Sequence, residues 1–372
     1  MRGGAAASAR GPVARRRRLA NRLGLSAGFA LLVSDPLDVG YLSGFTGEDS
    51  YLLVGRGWGC LLTDGRFDEQ AHAQCPDLEI VVRQGSMAEA IRQMVRLHRL
   101  RRVGFQPGHV TVDGRRRLEE ALGAWRVRPV EDGLLLQRAV KDAMELAAIR
   151  RAARVAEKAF KSLMVNGLRW FVGRTERQVA AELDYRMRLA GADEPAFPTI
   201  VAAGAHSSLP HYRPADTRIR RDQVLLIDWG ARKDGYCSDL TRVLMLGTIP
   251  PKLVGVYDVV LAAQQAGMAA VRAGVTGRTV DLAARSVIQK AGFCGQFIHG
   301  LGHGVGRAIH EWPALGSQVG RRLRRGMVVT VEPGVYLPGV GGVRIEDDVL
   351  VGPEGPVRLT SLPTARRAML LA

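Results

Sequence analysis

The stretch LLIDWGARKDGYCSDLTR, residues 225–242, decides the fold. An aliphatic run carries Asp228 into what reads as the interior of a strand, and eleven residues later Asp239 sits in a second strand-like run. Between them Lys233-Asp234-Gly235 is a turn signal, since Asp and Gly accept the backbone angles a tight turn requires. The stretch therefore reads as a hairpin with a carboxylate on each arm. A buried charge without compensation is costly, so the pair needs a positive partner.

The pattern recurs downstream. VVTVEPGVYLPGVGGVRIEDDVLV, residues 328–351, places Glu332 and Glu346 on two arms around a Pro338-Gly339 turn, and Glu332 lies 104 residues after Asp228. The tripeptide Gly-Arg-Thr repeats with the same shift, at 173–175 and 277–279. Each copy follows a helical stretch and precedes a helix that ends in Ala-Gly, at 190–191 and 291–292. Thr175 and Thr279 read as helix N-caps, whose hydroxyl accepts a free backbone N–H. The chain thus holds two helix–helix–hairpin units in tandem. A pseudo-twofold pairing of the two would gather all four carboxylates in one cleft.

Four acids in one pocket do not all ionise unless cations neutralise them. Two divalent ions would suffice. An oxygen-rich donor set suits manganese, and one imidazole also admits cobalt, iron or zinc. The imidazole has its source in FIHGLGHGVGRAIHEWP, residues 297–313, which holds His299, His303 and His310 among glycines. A fourth histidine, His211, stands in SSLPHY, seventeen residues before Asp228.

The rest of the chain sets the frame. It has 372 residues, enough for two domains, and 47% hydrophobic content supports a sizeable core. Between residues 15 and 135 short apolar strands (FALLVSD, YLLVG, GCLLTD, LEIVV, RRVGFQP) alternate with helical stretches such as SMAEAIRQMVRLHRL, which predicts an α/β domain with a parallel or mixed sheet. Gly55, Gly57 and Gly59 are spaced GxGxG but lack the following helix of a dinucleotide site. After a join at 137–141, Leu146, Ile149, Ala153, Ala156, Phe160 and Leu163 form one stripe of a helix over 142–163. The expected organisation is a basic N-terminal extension over 1–14, an α/β domain over 15–137 and a larger domain over 138–372.

The net charge is +17, and the first 22 residues carry seven arginines and no acid. Aromatics are 6% and no stacking motif accompanies the arginines, so nucleic-acid binding is not expected. No run approaches the ~18 apolar residues of a membrane helix. Cys60, Cys75, Cys237 and Cys294 form no CxxC pair, which fits reduced thiols and a cytoplasmic protein.

Taken in order, FPTIVAAGAHSSLPHY, LLIDWGARKDGYCSDLTRV, HGLGHGVGRAIHEWP, TVEPGVY and GVRIEDDVLV resemble the successive motifs of the pita-bread metallopeptidases, in the Xaa-Pro branch of aminopeptidase P and prolidase. LLVSDPLDVGYLSGFTG, residues 31–47, resembles the N-terminal domain of that branch, so the likeness spans nearly the whole chain. The resemblance implies an α+β chain, with a C-terminal pita-bread fold of duplicated halves after a smaller creatinase/prolidase-like α/β domain. It implies that Asp228, Asp239, His303, Glu332 and Glu346 hold two divalent ions, most simply Mn2+. His211, His299 and His310 match histidines beside the substrate, and Arg344 and Tyr336 match residues near the bridging carboxylates. The implied reaction is hydrolysis of the bond preceding proline by a metal-activated water, with Glu332 passing the proton, in a homodimer. Aminopeptidase P and prolidase remain open at this point. A creatinase-like hydrolase and a non-enzymatic binding protein on the same fold are the alternatives; both typically lose ligand positions, and all five stand here. Trp312, bulkier than expected, would narrow the cleft.

Overall fold

The structure is a computed structural model that describes residues 11–131 and 133–371. Contacts divide the chain into two compact units, Met1–Gln137 and Arg138–Ala372. Residues 1–10 of the expected basic extension lie outside the described residues, and its last part, from Pro12, already belongs to the helix Pro12–Arg22.

The first unit is built on a six-stranded mixed sheet in the order 79–82, 59–63, 51–54, 29–33, 102–105, 127–129. The strand Phe29–Val33 pairs antiparallel with Tyr51–Val54 and parallel with Arg102–Phe105. Side chains alternate across it. Leu31 and Val33 pack with Leu19, Tyr41 and Leu42 on one face, and Ala30 and Leu32 with Ile91, Met94 and Leu118 on the other. Two N-terminal arginines are not surface charge. Arg15 and Arg16 are buried and donate to the carbonyls of Tyr41 and Leu42, Arg15 lies over the Tyr41 ring, and Arg16 also pairs with Asp77.

The second unit repeats one plan twice. In the first half the helix Ala143–Met164 is capped by Asp142, whose carboxylate accepts from the N–H groups of Met144 and Glu145, and it packs against Glu176–Leu189. Thr175 caps that second helix. In the second half Pro251–Ala270 packs against Gly277–Lys290. Its cap is Thr276 and not Thr279, whose N–H is the group capped. The buried positions explain the difference: Val179 and Leu183 match Val280 and Ala284 at a shift of 101, three fewer than the hairpins. The helix Pro251–Ala270 is long and apolar enough to cross a membrane by length and composition, which the sequence reading missed. Its face of Leu253, Val256, Tyr257, Val260 and Ala263 is part of the main core.

The hairpins form two sheets. Gln223–Trp229 pairs with Leu240–Leu246, flanked by Ile200–Ala203, and Val328–Val331 pairs with Asp347–Val351, flanked by Gly302–Gly304. Each hairpin breaks midway and continues as a short outer ribbon, 231–237 in one and 334–344 in the other. Asp234 and Gly235 turn the first ribbon with φ of 52° and 73°. The two sheets meet at a bridge between Thr241 and Glu346.

Candidate active site

The breaks in the hairpins position the acids. Asp228 is the penultimate residue of its strand, Asp239 immediately precedes Leu240, Glu332 immediately follows Val331, and Glu346 immediately precedes Asp347. Where a strand bends its ladder loosens, and a side chain is freed to turn into the space between the sheets. All four line one cavity of about 470 Å³, together with His211, His299, His303, His310 and Arg344. The sequence-predicted set therefore converges. Trp312 is not among the lining residues; it packs on the core beneath the guanidinium of Arg321.

The cluster is tight. One ligand atom each from Asp239, His303 and Glu346 lies within 4.8 Å of the others. His303 Nε2 stands 3.6 Å from Asp239 Oδ2 and 3.4 Å from Glu332 Oε1. Its Nδ1 faces the carbonyl of Gly304 at 3.1 Å, an oxygen that can only accept, so Nδ1 carries the proton. Burial, with His310 beside it, pushes the His303 pKa down to about 4. The neutral ring thus aims the Nε2 lone pair at carboxylate oxygens, an arrangement that a cation between them would stabilise.

The acids carry the same signature. Burial raises Asp239, and Glu346, Asp228, Asp348 and Glu332 raise it further. Glu346 is likewise raised by burial and by Glu332 and Asp228, and Glu332 is pushed up to about 7, chiefly by burial. Without cations this burial and mutual repulsion favour the protonated forms. Asp228 is raised by burial against the opposing charge of Arg344, whose Nη2 donates to Oδ2 at 2.6 Å, while Oδ1 is buried with no partner. The donor set fits divalent ions: four carboxylates, one imidazole fixed as a neutral ligand, and an orphaned buried carboxylate oxygen on a cavity-lining residue.

Neighbours hold these groups in place. Thr241 Oγ1 donates to Glu346 Oε2 at 2.6 Å and accepts from Arg344 Nε at 3.1 Å. Thr330 Oγ1 accepts from the His303 N–H at 3.0 Å and donates to Glu332 Oε1 at 3.2 Å. Asp348 Oδ2 accepts the Asp239 N–H. Tyr336 OH accepts from Arg344 Nη1 and lies 2.9 Å from His299 Nε2. Such partners orient ligands as firmly as the ligands hold a metal.

The sequence reading missed two buried carboxylates that hold the cavity walls. Glu176 is fully buried at the start of its helix. Its oxygens accept from the N–H groups of Ala203 and Ala215 and from Tyr212 OH, and Oε1 meets His206 Nδ1 at 2.9 Å. The segment 203–215, which carries His211, is pinned at both ends. Asp281 accepts from the Leu301 N–H and pairs with Arg285, which donates to the carbonyls of Phe297 and His299. The sole hint of Glu176 was its place after the capping Thr175.

Residues 147–353 match the family model for metallopeptidase family M24, and residues 15–140 match the creatinase/prolidase N-terminal domain. The chain belongs to metallopeptidase family M24. The M24 relative YqhT of Bacillus subtilis, described as an uncharacterized peptidase, is 34% identical over 93% of this chain and 97% of its own. The structure of an Xaa-Pro dipeptidase from Bacillus anthracis superposes with a TM-score of 0.91 at 33% identity, covering 97% of this chain and all of that one. An X-Pro aminopeptidase from Thermotoga maritima superposes at 0.87 with 34% identity, over 94% and 99%. The fold is thus a creatinase/prolidase N-terminal domain followed by the pita-bread domain of the M24 family, and the chain is a metallopeptidase of a family that works with divalent ions.

Proposed function

We propose that this metallopeptidase hydrolyses the peptide bond preceding proline, with two divalent ions held by Asp228, Asp239, His303, Glu332 and Glu346. The observation that carries the reading is the neutral His303, its lone pair directed at Asp239 and Glu332 within a cavity of proton-holding acids. When bound, the ions would supply Lewis acidity and an acidified water. Manganese is the proposed ion, because oxygen donors outnumber nitrogen four residues to one. The Xaa-Pro preference is supported by the names of the two structural neighbours. The homodimer and the cytoplasmic setting rest on the resemblance alone.

Each residue has a part in this reading. Glu332, poised near neutrality and bonded to Thr330, accepts the water proton and passes it on. His310 and His211, both exposed on the cavity wall, stabilise the oxyanion and protonate the departing nitrogen. That nitrogen belongs to proline, which has no N–H for recognition. His299 is held neutral, with its pKa lowered to about 4 by burial, and is braced by Tyr336. Arg344 orients Asp228.

The test is hydrolysis of Ala-Pro and Ala-Ala by chelated protein before and after manganese, cobalt or zinc is restored, alongside Glu332→Gln. The reading requires ion-dependent cleavage of Ala-Pro over Ala-Ala, and a variant that keeps its ions but loses turnover. Cleavage by Glu332→Gln at the wild-type rate removes the proton role.

A further inference from the structure

Among the described residues, one permanent positive charge of the cavity has no ion-pair partner. Two arginines line it, Arg213 and Arg344. Arg344 is buried and committed, bonded to Asp228, Tyr336 and Thr241. Arg213 is exposed and has no hydrogen-bond or ion-pair partner among the described residues.

Its position is set by its neighbours. Tyr212 also lines the cavity and is anchored there, its hydroxyl donating to Glu176 at 2.8 Å and its ring stacked on His206 at 4.6 Å. His211 and Arg213, on either side of it in the chain, line the cavity as well. Because Glu176 also holds the N–H groups of Ala203 and Ala215, the backbone that presents Arg213 is fixed on both sides.

Charge then orders a substrate along the cavity. With two divalent ions bound the four acids are neutralised, so they offer a substrate's free carboxylate no specific partner. A dipeptide brings its carboxylate into the cavity one residue beyond the scissile carbonyl, and there it needs a cation. A guanidinium supplies two parallel N–H donors that match a carboxylate. The volume of about 470 Å³ lies at the small end of ligand pockets, which suits a dipeptide.

We infer that Arg213 is the specificity-determining residue that takes the carboxylate of the amino acid after the scissile bond, making dipeptides the preferred substrates. This rests on the Xaa-Pro reading above and decides within it between dipeptidase and aminopeptidase.

The experiment compares Ala-Pro, Ala-Pro amide and Ala-Pro-Ala as substrates of the ion-loaded wild type, Arg213→Ala and Arg213→Lys, with melting temperatures as the folding control. Wild type should cleave Ala-Pro with the highest kcat/KM. Loss of a charge-assisted bond to substrate should raise KM for Ala-Pro about 10- to 100-fold in Arg213→Ala, and leave Ala-Pro amide within about twofold. Arg213→Lys should fall between, since an ammonium keeps the charge without the fork. An equal effect on acid and amide, or a wild type that prefers Ala-Pro-Ala, overturns the inference while leaving the Xaa-Pro reading intact. A loaded wild type that cleaves none of the three overturns the Xaa-Pro reading, and this inference with it.

Discussion

Replacing Glu176 by glutamine tests how the cavity wall is held. The side chain is fully buried and accepts at both oxygens, from the Ala203 N–H at 2.8 Å on one and from Tyr212 OH at 2.8 Å and the Ala215 N–H at 3.2 Å on the other. Glutamine has the same shape but one acceptor. Whichever way the amide is turned, one backbone N–H faces another N–H. An orphaned buried donor costs about 1–3 kcal/mol, and the remaining bonds lose their charge assistance, so the total is about 2–4 kcal/mol. For a unit the size of Arg138–Ala372, at about 2–4 °C per kcal/mol, the melting temperature should fall by roughly 4–16 °C. The same loosening frees the segment that carries His211 and Arg213, so KM for a dipeptide should rise in parallel. Calorimetric melting and steady-state kinetics on one preparation read both. A variant that melts and binds like the wild type would refute the pinning argument.

Two further outcomes follow from the charges. His299 has a folded pKa lowered to about 4 by burial, with the Arg344 charge adding to it. Its contribution is fully present above the unfolded pKa of about 6.5 and is lost as pH falls from there toward 4, amounting to about 3 kcal/mol. Chelated His299→Asn should therefore lose less stability than chelated wild type between pH 7 and pH 4; parallel curves would contradict this. Burial and the neighbouring acids favour the protonated forms of Asp239 and Glu346 in the cation-free protein. A divalent ion at about a hundredfold its Kd should stabilise wild type by about 2.7 kcal/mol. Asp239→Asn or Glu346→Gln should abolish that gain, and an undiminished gain would remove them as ligands.

Much of the site was legible because strand chemistry is local. An acid in an aliphatic run is visible in one stretch, and the 104-residue interval from Asp228 to Glu332 showed that the hairpin was duplicated. The second helix cap was misread because identical letters were aligned, whereas a cap is set by the buried stripe that follows it, and Thr276 precedes Val280 as Thr175 precedes Val179. Glu176 showed only its place after Thr175, because its partners lie 27 to 39 residues away, beyond any periodicity. The buried contacts of the N-terminal arginines were hidden for the same reason. A charge run gives no sign that Arg15 and Arg16 are to meet carbonyls 26 residues on.

The central claim is that five side chains from two mirrored hairpins and one histidine loop form a site for divalent ions. Isothermal titration of manganese into chelated protein, repeated in two buffers of different ionisation enthalpy, measures ion number and proton release together. The account predicts two ions per chain, with protons released on binding because the acids and not His303 carry them. Binding without proton release, or no binding at all, would contradict it.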